Sequence, residues 1–171
     1  MNKIYLLLAL ISLSAHAEHK VINISTSIDV NNLYANSINS LVFEPSRLEL
    51  EVSADKTRFK TTSSTLKVET SIPKEVNNIA YVAGLIRNDT TCKDYSGFES
   101  SQPDFVSVSI DSQPLEVGES LTFADFQFDD GFNKYSEHEV KLEFASFSSI
   151  TTTSQPEGCN GEIEFNIEVE I

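Results

Sequence analysis

Strict alternation of apolar and polar residues runs through most of this chain, most cleanly at its C-terminal end. Ile163, Phe165, Ile167, Val169 and Ile171 alternate there with Glu162, Glu164, Asn166, Glu168 and Glu170. Successive side chains of a strand point to opposite faces, whereas a helix would scatter these apolar residues around its circumference. The pattern therefore requires a strand with one face in a core. The same period recurs at Ile22, Ile24, Thr26, Ile28 and Val30, then at Leu48, Leu50 and Val52. It returns at Leu66, Val68, Thr70 and Ile72, where Pro73 ends it, and at Val106, Val108 and Ile110. Leu121 and Phe123, Phe126 and Phe128, and Val140, Leu142 and Phe144 complete the series. Ile79 to Ile86 is apolar at both parities, the pattern of a strand covered on both faces.

Turn-forming residues separate these runs, at Asp89 to Cys92, Ser96-Gly97, Gln102-Pro103-Asp104, Gln113-Pro114, Asp129-Asp130-Gly131 and Gln155-Pro156-Glu157-Gly158. Only Val30 to Asn39 is ambiguous between helix and strand. Several short strands punctuated in this way predict an all-β fold, an immunoglobulin-like β-sandwich.

The other end of the chain reads as a targeting segment. Lys3 precedes an apolar stretch from Ile4 to Leu13, and Ser14-Ala15-His16-Ala17 supplies an A-x-A cleavage site. The stretch falls short of the roughly twenty apolar residues that a membrane anchor needs. Residues 1–17 are thus expected to be a signal peptide. Cleavage after it leaves Glu18 to Ile171, one domain of ordinary size. The formal net charge of −14 makes nucleic acid an unsuitable partner, because such a surface repels phosphate.

Export also bears on Cys92 and Cys159. Two cysteines in an oxidising compartment usually pair, which predicts a Cys92–Cys159 disulfide, with two free thiols as the alternative. Neither His19 nor His138 sits at ligand spacing from a cysteine, and no metal site or cofactor is expected. Catalysis is not expected either, since no G-x-S-x-G is present and His138 has no nucleophile motif beside it. Asp125, Gln127 and Asp129 begin like a calcium loop, but Asp130 stands where glycine is needed and Ser136 where the bidentate Glu is needed. A loop tip is the simpler reading. Asn23-Ile24-Ser25 and Asn88-Asp89-Thr90 match the glycosylation acceptor, a pattern that matters only in a eukaryotic secretory pathway.

The two terminal strands together distinguish this chain from an ordinary sandwich. One begins a few residues after the cleavage site and the other runs to Ile171. The N-terminal strand is free to leave its own fold and add to a neighbour's sheet. With Asn23-Ile24-Ser25-Thr26-Ser27-Ile28-Asp29-Val30 at one end and Pro156-Glu157-Gly158-Cys159-Asn160-Gly161-Glu162-Ile163-Glu164-Phe165 at the other, the chain resembles the chaperone–usher pilins. The resemblance is to the alternate branch that includes colonisation-factor and common-pilus subunits. Position 170 is Glu, where many pilins of the better-known branch carry a penultimate tyrosine, and the cysteines lie far from the N-terminus.

The resemblance implies an incomplete immunoglobulin-like sandwich over residues 32–171 that lacks its last strand, preceded by a donor-strand extension over 18–31. It implies a fimbrial subunit that polymerises by donor-strand exchange and supports surface adhesion. Its partners would be neighbouring pilin subunits, a periplasmic chaperone, an outer-membrane usher and a possible host receptor. The chain would pass through the periplasm to a cell-surface fimbrium. Carried onto this sequence, Ile22, Ile24, Thr26, Ile28 and Val30 would fill a neighbour's groove, and Ile163, Phe165, Ile167, Val169 and Ile171 would flank it. The competing reading is a stand-alone exported β-sandwich that binds a ligand or receptor.

Overall fold

The computed structural model describes residues 33–170, so the signal segment, the N-terminal strand from Ile22 to Val30, and Ile171 lie outside the described residues. Ten strands form two antiparallel sheets. They are β1 (Ile38–Glu44), β2 (Thr62–Pro73), β3 (Tyr81–Asp94), β4 (Glu99–Ser101), β5 (Val106–Ile110), β6 (Gln113–Leu115), β7 (Ser120–Phe123), β8 (Phe128–Asp129), β9 (Asn133–Phe144) and β10 (Pro156–Val169). One sheet has the order β1-β2-β9-β5-β6, with β8 also on β9; the other has β10-β3-β4, with β7 also on β3.

The inner faces of the two sheets form one core. Leu66, Val68 and Ile72 of β2, Val108 and Ile110 of β5, and Val140 of β9 meet Tyr81, Ala83 and Leu85 of β3 and Ile167 and Val169 of β10. The period-2 positions of β2, β5, β9 and β10 thus face inward, as the sequence pattern requires. In β9 the same inward parity includes polar residues. His138 Nδ1 lies 2.6 Å from Asp111 Oδ2 and Nε2 lies 2.5 Å from the Tyr81 hydroxyl, so both ring nitrogens are partnered inside the sandwich. Burial pushes the Tyr81 hydroxyl up to about 12, with the nearby Asp111 and Asp125 charges adding to it against a Ser136 hydrogen bond. Lys134 is also buried and reaches Asp125 at 2.7 Å.

Several local expectations are corrected. Among the described residues, Leu48, Leu50 and Val52 do not form a strand of a sheet, and the segment pairs only through a single bridge between Val52 and Phe59. Asp89 to Cys92 is not a turn but the interior of β3, and Pro156 to Gly158 already belongs to β10. The β5–β6 turn falls on Asp111 and Ser112, with φ of 48° and 67°, and not on Gln113-Pro114. Two successive residues at positive φ suit the twist of a two-residue hairpin, and Pro114 is tolerated because β6 is an edge strand. Finally, β3 is not covered on both faces. Glu164 pairs with Arg87 and Phe165 with Leu85, so Ile86 is an extra residue in a bulge and is 52% exposed.

Candidate interaction groove

β10 pairs with β3 from Pro156↔Asp94 to Val169↔Tyr81. Among the described residues its other edge has no strand beside it, and neither has the outer edge of β1. An unpaired edge of this length leaves a row of main-chain donors and acceptors unused, which ordinary domains avoid or cover. Along the inward face of β10, burial changes in one direction: Ile167 and Val169 are buried, Ile163 and Phe165 only half-buried, and Cys159 is exposed. The sandwich is closed where β10 ends and open where it begins.

The opening is an apolar groove of about 820 Å³. Its β10 wall runs from Pro156 to Ile163, its floor is Val106, Leu142, Phe144 and Phe147, and its far wall is Leu48 and Leu50. A narrower extension reaches Phe43, Pro45, Val140 and Phe165. It ends where the Phe43 and Phe165 rings meet with centroids 6.0 Å apart. The floor is braced by Phe59, whose ring packs edge-on against Phe144 at 5.4 Å and Phe147 at 4.9 Å.

Local sequence explains why the groove stays open. β1 stops at Glu44, before Pro45, which has no amide hydrogen to continue a ladder. The chain then runs along the groove and turns back at residues 53–58, where Ser53 accepts the first hydrogen bond of the return from Arg58 and Asp55 accepts from Thr57 N. On the opposite wall Gly161 lets β10 lie close to β3, since a Cβ there would meet Asp89 O at 3.1 Å. Cys92 and Cys159 face each other in register and are joined as a disulfide, as expected from sequence. The outward face of β10 is acidic: Arg87 bridges Glu162 at 2.8 Å and Glu164 at 3.3 Å. Such exposed pairs contribute little to stability.

The expected flanking residues thus lie on one strand, but with different environments. Ile163 and Phe165 line the groove, Ile167 and Val169 belong to the closed core, and Ile171 is outside the described residues. β1 and its Phe43, which close the groove, escaped the sequence reading; the short Leu41-Val42-Phe43 run before Glu44-Pro45 was their only signal. The other candidates found ordinary structural duties. Asp129 accepts from Gly131 N, Asp130 accepts from Phe132 N and Asn133 N, and the Asn88 amide donates to Val106 O. Among the described residues no three His, Cys, Asp or Glu side chains are grouped to hold a metal.

No known protein family pattern and no curated protein matches the chain. Among solved structures it is similar to the CooA pilin subunit from enterotoxigenic Escherichia coli. The TM-score is 0.51 at 16% sequence identity, over 77% of this chain and 86% of that one. The fold is that of a pilin. Among the described residues, the β10 edge thus lies open in a sandwich of that fold, closed at the Ile167–Val169 end and open at the Pro156 end.

Proposed function

We propose that the chain is a structural pilus subunit that polymerises when the N-terminal strand of one copy, Ile22 to Val30, fills the groove beside β10 of the next. The observation that carries this reading is a β10 edge with no strand beside it among the described residues, above an apolar groove where Ile163 and Phe165 remain half-exposed. The groove wall from Pro156 to Phe165 spans about 30 Å at the rise of an extended strand, and Ile22 to Val30 spans about 27 Å. Four aliphatic side chains of that strand fall on one face, and each contributes about 1.5–3 kcal/mol on burial. A ladder of main-chain bonds along β10 adds directionality.

The shape of the groove also favours one direction. It is closed at Phe43–Phe165 and open at Pro156, so the donor's own domain has to follow from the open end. Val30 then lies near Pro156 and Ile22 near Phe165, antiparallel to β10. A subunit with this groove exposed needs cover during export, which fits a periplasmic chaperone before an outer-membrane usher. The likeness to a pilin in particular supports other pilin subunits as partners and a fimbrium at the cell surface as the destination, with adhesion, including to a host receptor, as the purpose.

The test is Ile24→Asp, which sets an unpaired carboxylate into the groove at a cost of several kcal/mol. Polymerisation is expected to be abolished while the chaperone complex keeps its stability. Asn23→Asp and Ser25→Asp, on the opposite face, are expected to polymerise. Filaments from Ile24→Asp would sink the reading, and so would unfolding of the chaperone-bound subunit, since the strand would then belong to its own sheet.

A further inference from the structure

Three large aromatic side chains stand in solvent at the two ends of the sandwich: Tyr95 at 69% and Phe98 at 65% exposure on the β3–β4 hairpin, and Phe132 at 80% on the β8–β9 loop. Single exposed apolar residues are common, but these sit on loops that are held still. Asp94 is itself buried and accepts from Ser96 N, Phe98 N and Ser154 N, tying the hairpin to the chain that enters β10. At the other tip Asp130 accepts from Phe132 N and Asn133 N, and Lys74 N donates to Phe132 O. Presenting aromatics on rigid supports lowers the entropy lost when they are covered.

Their places in the fold are complementary. Tyr95 and Phe98 follow the end of β3, opposite the start of β10, at the end of the sandwich where the groove opens. Phe132 precedes β9 beside the end of β2, since Pro73 pairs with Asn133. That is the end of the sandwich from which the N-terminal segment leaves, because Ser71 N donates to Ser37 O there. The fourteen residues of β3 put the two ends roughly 40 Å apart, so the tips cannot meet within one copy.

We infer that Phe132 of one copy packs against the Tyr95–Phe98 hairpin of the next, forming a second, body-to-body contact at each joint of the polymer. The inference rests on the strand-donation reading and extends it. A donor strand ending at Val30 at the open end leaves two residues, Asn31 and Asn32, before Leu33, so about 10 Å of chain separates Val30 from Leu33. The donor domain must therefore dock its N-terminal end, with Phe132, onto the acceptor's open end, with Tyr95 and Phe98. The contact is heterologous and head-to-tail, and repetition gives a filament.

The test uses the full chain exported with its assembly partners. A photo-crosslinking benzophenone side chain at position 132 is expected to attach, in assembled filaments, to a peptide from another copy that contains Tyr95 to Phe98. Phe132→Ser and Phe98→Ser are expected to polymerise, because the donor strand is untouched. Their joints should open about two- to tenfold faster in denaturant, the span of an aromatic pair. Combining the two changes should add nothing further if they remove the same contact. Crosslinks that land only elsewhere, or joints that open at the wild-type rate, overturn the contact and leave strand donation standing. A wild-type chain that forms no polymer overturns both.

Discussion

Phe43 and Phe165 meet at the boundary between the closed and open parts of the sandwich, one ring from β1 and one from β10, with centroids 6.0 Å apart. On the side of Ile167 and Val169 the sheets share a core; on the side of Ile163 they part around a groove. This contact makes the groove blind at one end, and the direction proposed for a donor strand rests on it.

The wall of the groove gives a test that is independent of the donor. Ile163 is half-buried in the single subunit, so Ile163→Asp should lower its stability only modestly, by about 1 kcal/mol. Once a strand covers that position the carboxylate loses its water, and the expected result is loss of polymer. Glu162→Gln, on the outward face, should assemble as wild type. Filament yield by electron microscopy, beside unfolding of the chaperone-bound subunit, separates the two effects.

The polar core makes a different demand. In Tyr81→Phe the hydroxyl is lost, and His138 Nε2 is left in the core without its 2.5 Å partner. An orphaned buried polar atom costs about 1–3 kcal/mol, and the denaturant midpoint should fall accordingly. An unchanged midpoint would mean that the hydroxyl is not what satisfies the ring. Assembly should be unaffected once the subunit is folded, because Tyr81 does not line the groove.

Acid sensitivity follows from the carboxylates that tie the loops. Burial raises the Asp94 carboxyl, but hydrogen bonds from Ser154, Phe98 and Ser96 outweigh it and hold it below its ordinary 3.8. Asp125 is likewise raised by burial and lowered further by Lys134, Asn78 and Phe126, while Asn133 and Phe132 lower Asp130. A depressed folded-state value means that the group stabilises above the unfolded value and that this contribution is lost as pH falls through the folded one. Thermal unfolding should therefore be insensitive to these three groups near neutrality and decline below 3.8. Asp94→Asn should be less stable at neutral pH, with a shallower acid decline; an acid decline as steep as wild type would remove Asp94 from this account.

What could be read in the sequence was whatever periodicity reports. The inward residues of β2, β5, β9 and β10 alternate because each strand has one wet face, and the pilin-like fold is the sandwich which that patterning implied. Periodicity is blind to pairing, and the misreadings follow from that. Leu48, Leu50 and Val52 alternate like a strand because Leu48 and Leu50 turn toward a groove, not because a sheet holds them. Asp89 to Cys92 has turn chemistry, yet ladder bonds to β10 on one side and β4 on the other keep Thr91 and Cys92 extended. The strand β1 is short and irregularly exposed, so it leaves little pattern, although it forms half of the groove's closed end. The groove lies where no strand covers β10 among the described residues, and that becomes visible only when the neighbours of β10 are known.

The groove wall is held unevenly along its length. The first seven residues of β10, Pro156 to Glu162, bury no side chain, whereas Ile163 onward is anchored by its inward apolar face. Their ladder to β3 is therefore fastened mainly by Cys159, bonded to the buried Cys92 across 67 residues of chain. A loop of that length gives roughly 4 kcal/mol from lost unfolded-state entropy, in a model-dependent treatment. Reduction, or Cys159→Ser with Cys92→Ala, should lower global stability by up to this amount. Locally it should do more to one half of the strand than to the other. Amide exchange should rise over 156–162 and the facing part of β3, while Ile167 and Val169 stay protected by the core. Because Pro156 to Gly161 form the open end of the groove, the reduced subunit should also take up a donor strand more weakly, with Val30 the first residue to lose its seat. Intact mass with and without reduction establishes the bond, and exchange mapped by mass spectrometry reads its local effect. Equal opening along the whole of β10 would show that the disulfide secures the domain as a unit and not this end of the wall.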